Sequence, residues 1–203
     1  MYDSLNDMHL DVLREIGNIG SGNAATSLAS LLNTPVNIQV PTIRILGFEE
    51  VIEELGGPEK MIVGLLLTMG GDVQGMLMFL LQKEFAHMTI GTLLGQPPEN
   101  FAELDEMGLS AIQEVGNIMA GSYVNAIAEM TGLSINISVP AIAIDMAGAI
   151  LSVPAIHYAN ISDKIIFIED EFASAGESVN SHVLLIPDMG SLKKIMGNLG
   201  IEL

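Results

Sequence analysis

The chain has 203 residues, 49% of them hydrophobic, and it contains neither Cys nor Trp; 25 acids against 7 Lys plus Arg give a net charge of −18. The lack of Cys excludes disulfides, thiolate metal sites and a Cys nucleophile, and the acidic balance excludes a surface for nucleic acid or anionic lipid, since no basic patch could offset phosphate charge. No apolar run approaches the roughly 18 residues of a membrane span, and no charged n-region opens onto an apolar stretch, so the sequence predicts a cytoplasmic protein without membrane insertion.

Residues 8–33 carry Leu10, Leu13, Ile16, Ile19, Leu28, Leu31 and Leu32 near helical spacing. The middle of this helix, GNIGSGNAA, holds three glycines, each costing up to about 1 kcal/mol relative to Ala, which predicts that another backbone approaches there. Asn33-Thr34-Pro35 ends the helix, and VNIQVP (36–41) alternates like a strand that its proline limits. Phe48–Leu55 reads as a short helix, Lys60–Thr68 and Gln74–Gln82 as strands about an MGGD turn, and Lys83–Leu94 as a helix closed by Gly95. QPPENFAE (96–103) is a joint. Beyond it Glu103–Thr131 is predicted helical, Ser134–Val139 a strand, Asp145–Val153 a short helix, Lys164–Glu171 and His182–Pro187 strands flanking the polar EFASAGESVN (171–180), and Ser191–Leu199 the last helix.

The second half thus repeats the order of the first, and the residues agree. DVLREIGNIGSGNAATSLASLLNTPVNIQVP (11–41) and SAIQEVGNIMAGSYVNAIAEMTGLSINISVP (110–140) share ten of 31 positions. The expected architecture is an α/β (α+β) sandwich: one domain, 1–203, made of two repeats (about 1–97 and 98–203) with pseudo-two-fold symmetry. About six mainly antiparallel strands are backed by the two long helices.

The repeated residues include Glu15, Gly17, Asn18, Ile19 and Gly22, which recur as Glu114, Gly116, Asn117, Ile118 and Gly121, and Pro41, which recurs as Pro140. Asp11, Glu15 and Asn18 fall on one helical stripe, as do Ser110, Glu114 and Asn117. The apolar positions Leu13, Ile16 and Ile19 lie elsewhere, so each Glu–Asn pair is predicted to be exposed on a stiff support. At neutral pH Asn is neither a general base nor a nucleophile. It can orient a water, and being neutral it can approach an anionic phosphoryl group; a Glu beside it suits a cation on a partner. Such positioning fits hydrolysis of an already activated phosphate.

The pattern Asp/Ser-x3-Glu-x2-Asn-x22-Pro, present in full twice, resembles the CheC/CheX/FliY family of CheY phosphatases, its CheC branch most closely. The resemblance implies hydrolysis of the aspartyl phosphate of phosphorylated CheY. Asn18 and Asn117 would align the attacking water, and Glu15 and Glu114 would pair with a CheY lysine. Asp11, Ser110, Pro41 and Pro140 would support the motif. It implies no cofactor in this chain, with Mg²⁺ supplied by the bound CheY. It also implies binding of the receptor deamidase CheD, for which AIDMAGAI (143–150) is similar to the docking helix and Asp145 is the candidate contact.

Other signals carry less. GSGNAA (20–25) matches a dinucleotide fingerprint but sits within a helical pattern instead of after a strand. His9, His87, His157 and His182 lack ligand spacing and are expected at the surface or in loops. Glu49, Glu50, Glu53 and Glu54 read as a solvated helix face or, equally, as an edge of a docking surface for a basic partner. The rival to an enzyme is a non-catalytic adaptor that sequesters CheY or CheD.

Overall fold

A computed structural model describes residues 5–158, 164–174 and 177–203. The first half runs α1 (Asp7–Leu32), β1 (Val36–Ile38), β2 (Thr42–Gly47), α2 (Phe48–Glu54), β3 (Met61–Gly71), β4 (Gly75–Leu81) and α3 (Lys83–Leu94). The second runs α4 (Glu106–Thr131), β5 (Ile135–Ile137), β6 (Ala141–Met146), α5 (Ala147–Tyr158), β7 (Lys164–Ser174), β8 (Glu177–Pro187) and α6 (Met189–Asn198). The long helices end as their sequences require: Asn33 (φ 50°) and Gly132 (φ 70°) take the left-handed conformation that closes a helix.

Eight strands, not six, form the sheet, in the order β1-β7-β8-β4-β3-β5 with β2 also on β7 and β6 also on β3. Every pairing is antiparallel. The two additional strands continue the edges that β1 and β5 begin. β1 pairs with residues 172–174 of β7, and β2 with residues 164–169 of the same strand. Between them lies Pro41, which has no N–H to give a ladder. Pro140 breaks the opposite edge in the same way, between β5 and β6 on β3. Exchanging each first-half strand for its counterpart reproduces the pairing: β1 and β2 lie on β7 as β5 and β6 lie on β3, and β4 lies against β8.

Both faces of the sheet are covered, so β3 and β4 read as continuous apolar runs instead of alternating ones. On one face Val63, Leu65, Leu67, Phe79, Leu81, Val183 and Leu185 pack with residues of α1, α3, α4 and α6. On the other, Ile62, Met76, Met78, Leu80, Leu184 and Ile186 pack with Val51 and Leu55, at and just beyond α2, and with Ala147, Ile150 and Leu151 of α5. Two long helices backing a sheet were therefore half of the arrangement: the short α2 and α5 seal the far side.

Three further expectations need correction. The helix placed at Asp145–Val153 begins at Ala147 and runs to Tyr158, with Pro154 inside it; Asp145 belongs to β6, opposite Ile62. The segment 171–180, expected as a connection, is largely strand, with Phe172 opposite Val179 and both buried; Ala175 and Gly176 lie outside the described residues. Of the four histidines, His9 and His182 are buried.

Candidate active site

The start of α1 is tied down before the motif begins. Asn6 caps it, its side chain accepting from the His9 backbone N at 3.2 Å, while the His9 ring accepts from the Asn6 backbone N at 3.1 Å and sits 2.8 Å from the Glu202 carbonyl. Asp105 caps α4 by accepting from Gly108 N at 2.8 Å. From these ends the helices turn one face inward: Leu13, Ile16, Gly17, Gly20, Ser21 and Ala24 on α1, and Ile112, Val115, Gly116, Met119 and Ala120 on α4. The opposite faces carry Asp11, Glu15 and Asn18, and Ser110, Glu114 and Asn117, all exposed.

The glycine before the first Asn has a reason. A Cβ on Gly17 would lie 2.7 Å from Ile43 Cδ1 and 3.5 Å from Pro41 Cγ. The motif proline is thus buried beneath the motif helix, at the break in the sheet edge, and fixes how deep Asn18's turn sits. In the second half Pro140 is likewise buried, and Gly116 faces Leu65, its Cβ position 3.0 Å from Leu65 Cδ1. Both prolines are buried and so present nothing to a reactant.

The two motif helices pack on each other through a complementary exchange. A Cβ on Gly20 would lie 2.8 Å from Tyr123 Cδ1 and 3.2 Å from its Cα, so the predicted close backbone approach occurs there. The counterparts of Gly20 and Tyr123 are Met119 and Ala24, both fully buried. Tyr123 continues into a polar knot that the sequence did not announce. Its hydroxyl donates to Asp170 Oδ2, and Ser21 Oγ donates to Oδ1 at 2.6 Å and lies 2.7 Å from the Tyr123 oxygen. Burial pushes the Asp170 carboxyl up to about 6, although both hydroxyls favour its charged form. One β7 carboxylate therefore holds α1 to α4.

Among the described residues, no side chain or backbone group makes a hydrogen bond or ion pair with the side chains of Glu15, Asn18, Glu114 or Asn117. Asp11 is not free in this way, since it pairs with Arg14 one turn on; exposed at both ends, that pair adds little stability. Ser110 and Gln113 take their places in the second half, so each stripe keeps one uncompensated carboxylate, Glu15 or Glu114. The arrangement offers two ridges with an acceptor for a cation and a neutral carboxamide for a water. Neither carboxamide is a nucleophile at neutral pH, and both pairs stand on exposed helix faces. Among the described residues, no cluster of three or more His, Asp or Glu could hold a metal ion, and no helix is long and apolar enough to cross a membrane.

Asp145 stands apart from both ridges. It is exposed near the end of β6, its carboxylate accepting from Met146 N at 2.7 Å, immediately before α5. It lies on a strand edge, and the helix expected to carry it starts two residues later.

Comparison with known proteins agrees with this layout. The model of the CheC-like family matches residues 8–45 and 107–144, the two helix–strand units that carry the ridges. The CheY-P phosphatase CheC of Bacillus subtilis (strain 168) is 32% identical over 207 residues, covering 100% of this chain and 99% of that protein. The crystal structure of Thermotoga maritima FliY superimposes with a TM-score of 0.77 at 26% identity, covering 97% of this chain and 98% of that one. The FliM middle domain from H. pylori, at 14% identity and a TM-score of 0.70 over 96% of this chain and 99% of that one, shares the fold alone. With similarity running the whole length and the family model falling on both ridges, the chain belongs to the CheC-like family.

Proposed function

We propose that this chain hydrolyses the aspartyl phosphate of phosphorylated CheY. The observation that carries the reading is the pair of outward, unpartnered Glu–Asn ridges on helices braced by buried glycine and proline. The CheY-P phosphatase name of the B. subtilis relative supports it. In this reading Asn18 or Asn117 holds a water in line with the phosphorus of a docked regulator. The water oxygen bonds to phosphorus, the bond to the regulator's aspartate breaks, and that aspartate leaves as a carboxylate. Glu15 or Glu114 engages a regulator lysine, and Mg²⁺ belongs to the regulator. A carboxylate in the Asn position would be repelled by the phosphoryl oxygens. The rigid helix supplies orientation, which is what a dissociative transfer needs most.

The exchange-invariant strand pairing supports a single domain of two repeats, about 1–97 and 98–203, related by an approximate two-fold axis between β4 and β8. A cytoplasmic location follows from the reading. CheD binding would use the exposed edge of β6 at Asp145 together with the start of α5.

The test is release of inorganic phosphate from phosphorylated CheY, with the chain at a small fraction of the regulator's concentration and with CheD present and absent. The expected result is complete release, each chain turning over many times, in at least one of the two conditions. Release no faster than the regulator's own decay in both would leave only the sequestering adaptor.

A further inference from the structure

Two repeated residues have no reason inside the chain. Gly22 and Gly121 lie in mid-helix and are partly exposed, and a Cβ on either would meet nothing within 4 Å. Gly17 and Gly20 are explained by close neighbours; these two are not. A bare helical glycine costs about 1 kcal/mol relative to Ala, and the chain carries that cost twice at the same place.

That place continues the active stripe. Met8, Asp11, Glu15, Asn18 and Gly22 follow one another at steps of three, four, three and four, as do Met107, Ser110, Glu114, Asn117 and Gly121. On an α-helix this spacing makes one straight ridge. Its first member is an exposed methionine in both halves, Met8 at 60% and Met107 at 63%. Val40 (82%) and Val139 (72%) directly precede the motif prolines. These four are counterpart pairs, and they are four of the five most exposed large hydrophobic side chains among the described residues. Single exposed hydrophobics are ordinary; the same ones at matching positions of both repeats are a pattern.

Resting on the reading above, we propose that each whole ridge is the footprint of one phosphorylated receiver domain. The methionine end gives it apolar contact, and the glycine end is left bare so that the receiver's backbone can settle against the helix one turn beyond the Asn. Gly22 and Gly121 then set how near the phosphoryl group comes to the carboxamide. Charge favours this division of labour. A chain at −18 gains little long-range attraction for a partner carrying a phosphoryl group. Affinity must come from short-range apolar contact, and the single unpaired Glu on each ridge complements a cation beside the acyl phosphate.

The test uses the full chain with both Gly22→Leu and Gly121→Leu, and separately with both Met8→Ser and Met107→Ser. The probe is CheY activated with beryllofluoride in place of the phosphoryl group. Leucine is a good helix former and the space over each glycine is open, so the melting temperature of the leucine variant should equal or exceed the parent's. Its affinity for the probe should fall at least about tenfold, and the serine variant should also bind more weakly. Parent-like affinity in a leucine variant of undiminished melting temperature overturns the footprint, as does a parent chain that does not bind the probe. A parent that binds the probe but releases no phosphate from phosphorylated CheY keeps the footprint and removes the catalytic reading.

Discussion

Replacing both Asn18 and Asn117 with Ala should abolish acceleration of phospho-CheY hydrolysis and leave only the regulator's own decay. Each carboxamide can donate to and accept from a water at once beside its Glu; Ser110, the other such group on the second ridge, lies seven residues before Asn117. Loss of a preorganised polar group at a reacting centre costs on the order of 10²–10³ in rate. The loss should appear in kcat with KM little changed, because a small exposed amide contributes little to docking area. Each single variant should retain the turnover of the other ridge, so the two rates should add up to that of the parent. Phosphate release across regulator concentrations measures all of this. Both side chains are exposed and unpartnered, so unfolding free energy should move by no more than about 0.5 kcal/mol. A double variant that hydrolyses at the parent rate rules the mechanism out.

The second large effect lies beneath the ridges and is read by pH. Asp170, buried among Ser21, Tyr123 and the core, has its carboxyl raised from the usual 3.8 to about 6 by burial. Folded protein therefore binds this proton more readily than unfolded protein, so the group favours folding below pH 4 and loses that contribution as pH rises through 6. His182 acts in the opposite direction. It is buried on β8 and stacked on Phe167 at 5.2 Å, and burial lowers it from 6.5 to about 4. Its contribution is full above pH 6.5 and is lost as pH falls through 4. The two windows overlap, and each group is worth about 3 kcal/mol across its own, so in the parent they nearly cancel. Asp170→Asn removes one side of that balance. Between pH 7 and pH 4 its unfolding free energy should fall relative to the parent by about 3 kcal/mol. Denaturant midpoints at several pH values check it. A constant difference between variant and parent would mean that Asp170 titrates normally.

The sequence made the ridges legible because a helix writes its faces at fixed spacing and this chain writes them twice. Glu15 and Asn18, like Glu114 and Asn117, could be placed outward from Leu13 and Ile16 alone, and Asn33 and Gly132 marked where the long helices stop. Edge strands are harder to read. Of TIRILG in β2 only Ile43 is buried, and AIAIDM in β6 exposes four of its six residues, so neither carries the apolar run that betrayed β3 and β4. EFASAGESVN looked like a loop because its Ser, Gly and acids outnumber its apolar residues, yet Phe172 and Val179 alternate inward and Ser178 donates to Glu171 across the pair. Asp170 could not be found at all. In IEDEF it stands between Glu169 and Glu171, and only the packed fold distinguishes the buried carboxylate from its half-buried neighbours. Of the three glycines in GNIGSGNAA, Gly20 meets the approaching backbone, at Tyr123, whereas the space over Gly22, as over its repeat Gly121, is open.

In the proposed reaction this chain contributes no nucleophile and steers solvent onto another protein's acyl phosphate. Hydrolysis of phosphorylated CheY by the parent chain in water enriched in heavy oxygen tests it directly. Every phosphate released should carry one heavy oxygen, and the regulator's aspartate none. Label in that aspartate, or phosphate passing through a covalent adduct on this chain, would contradict it.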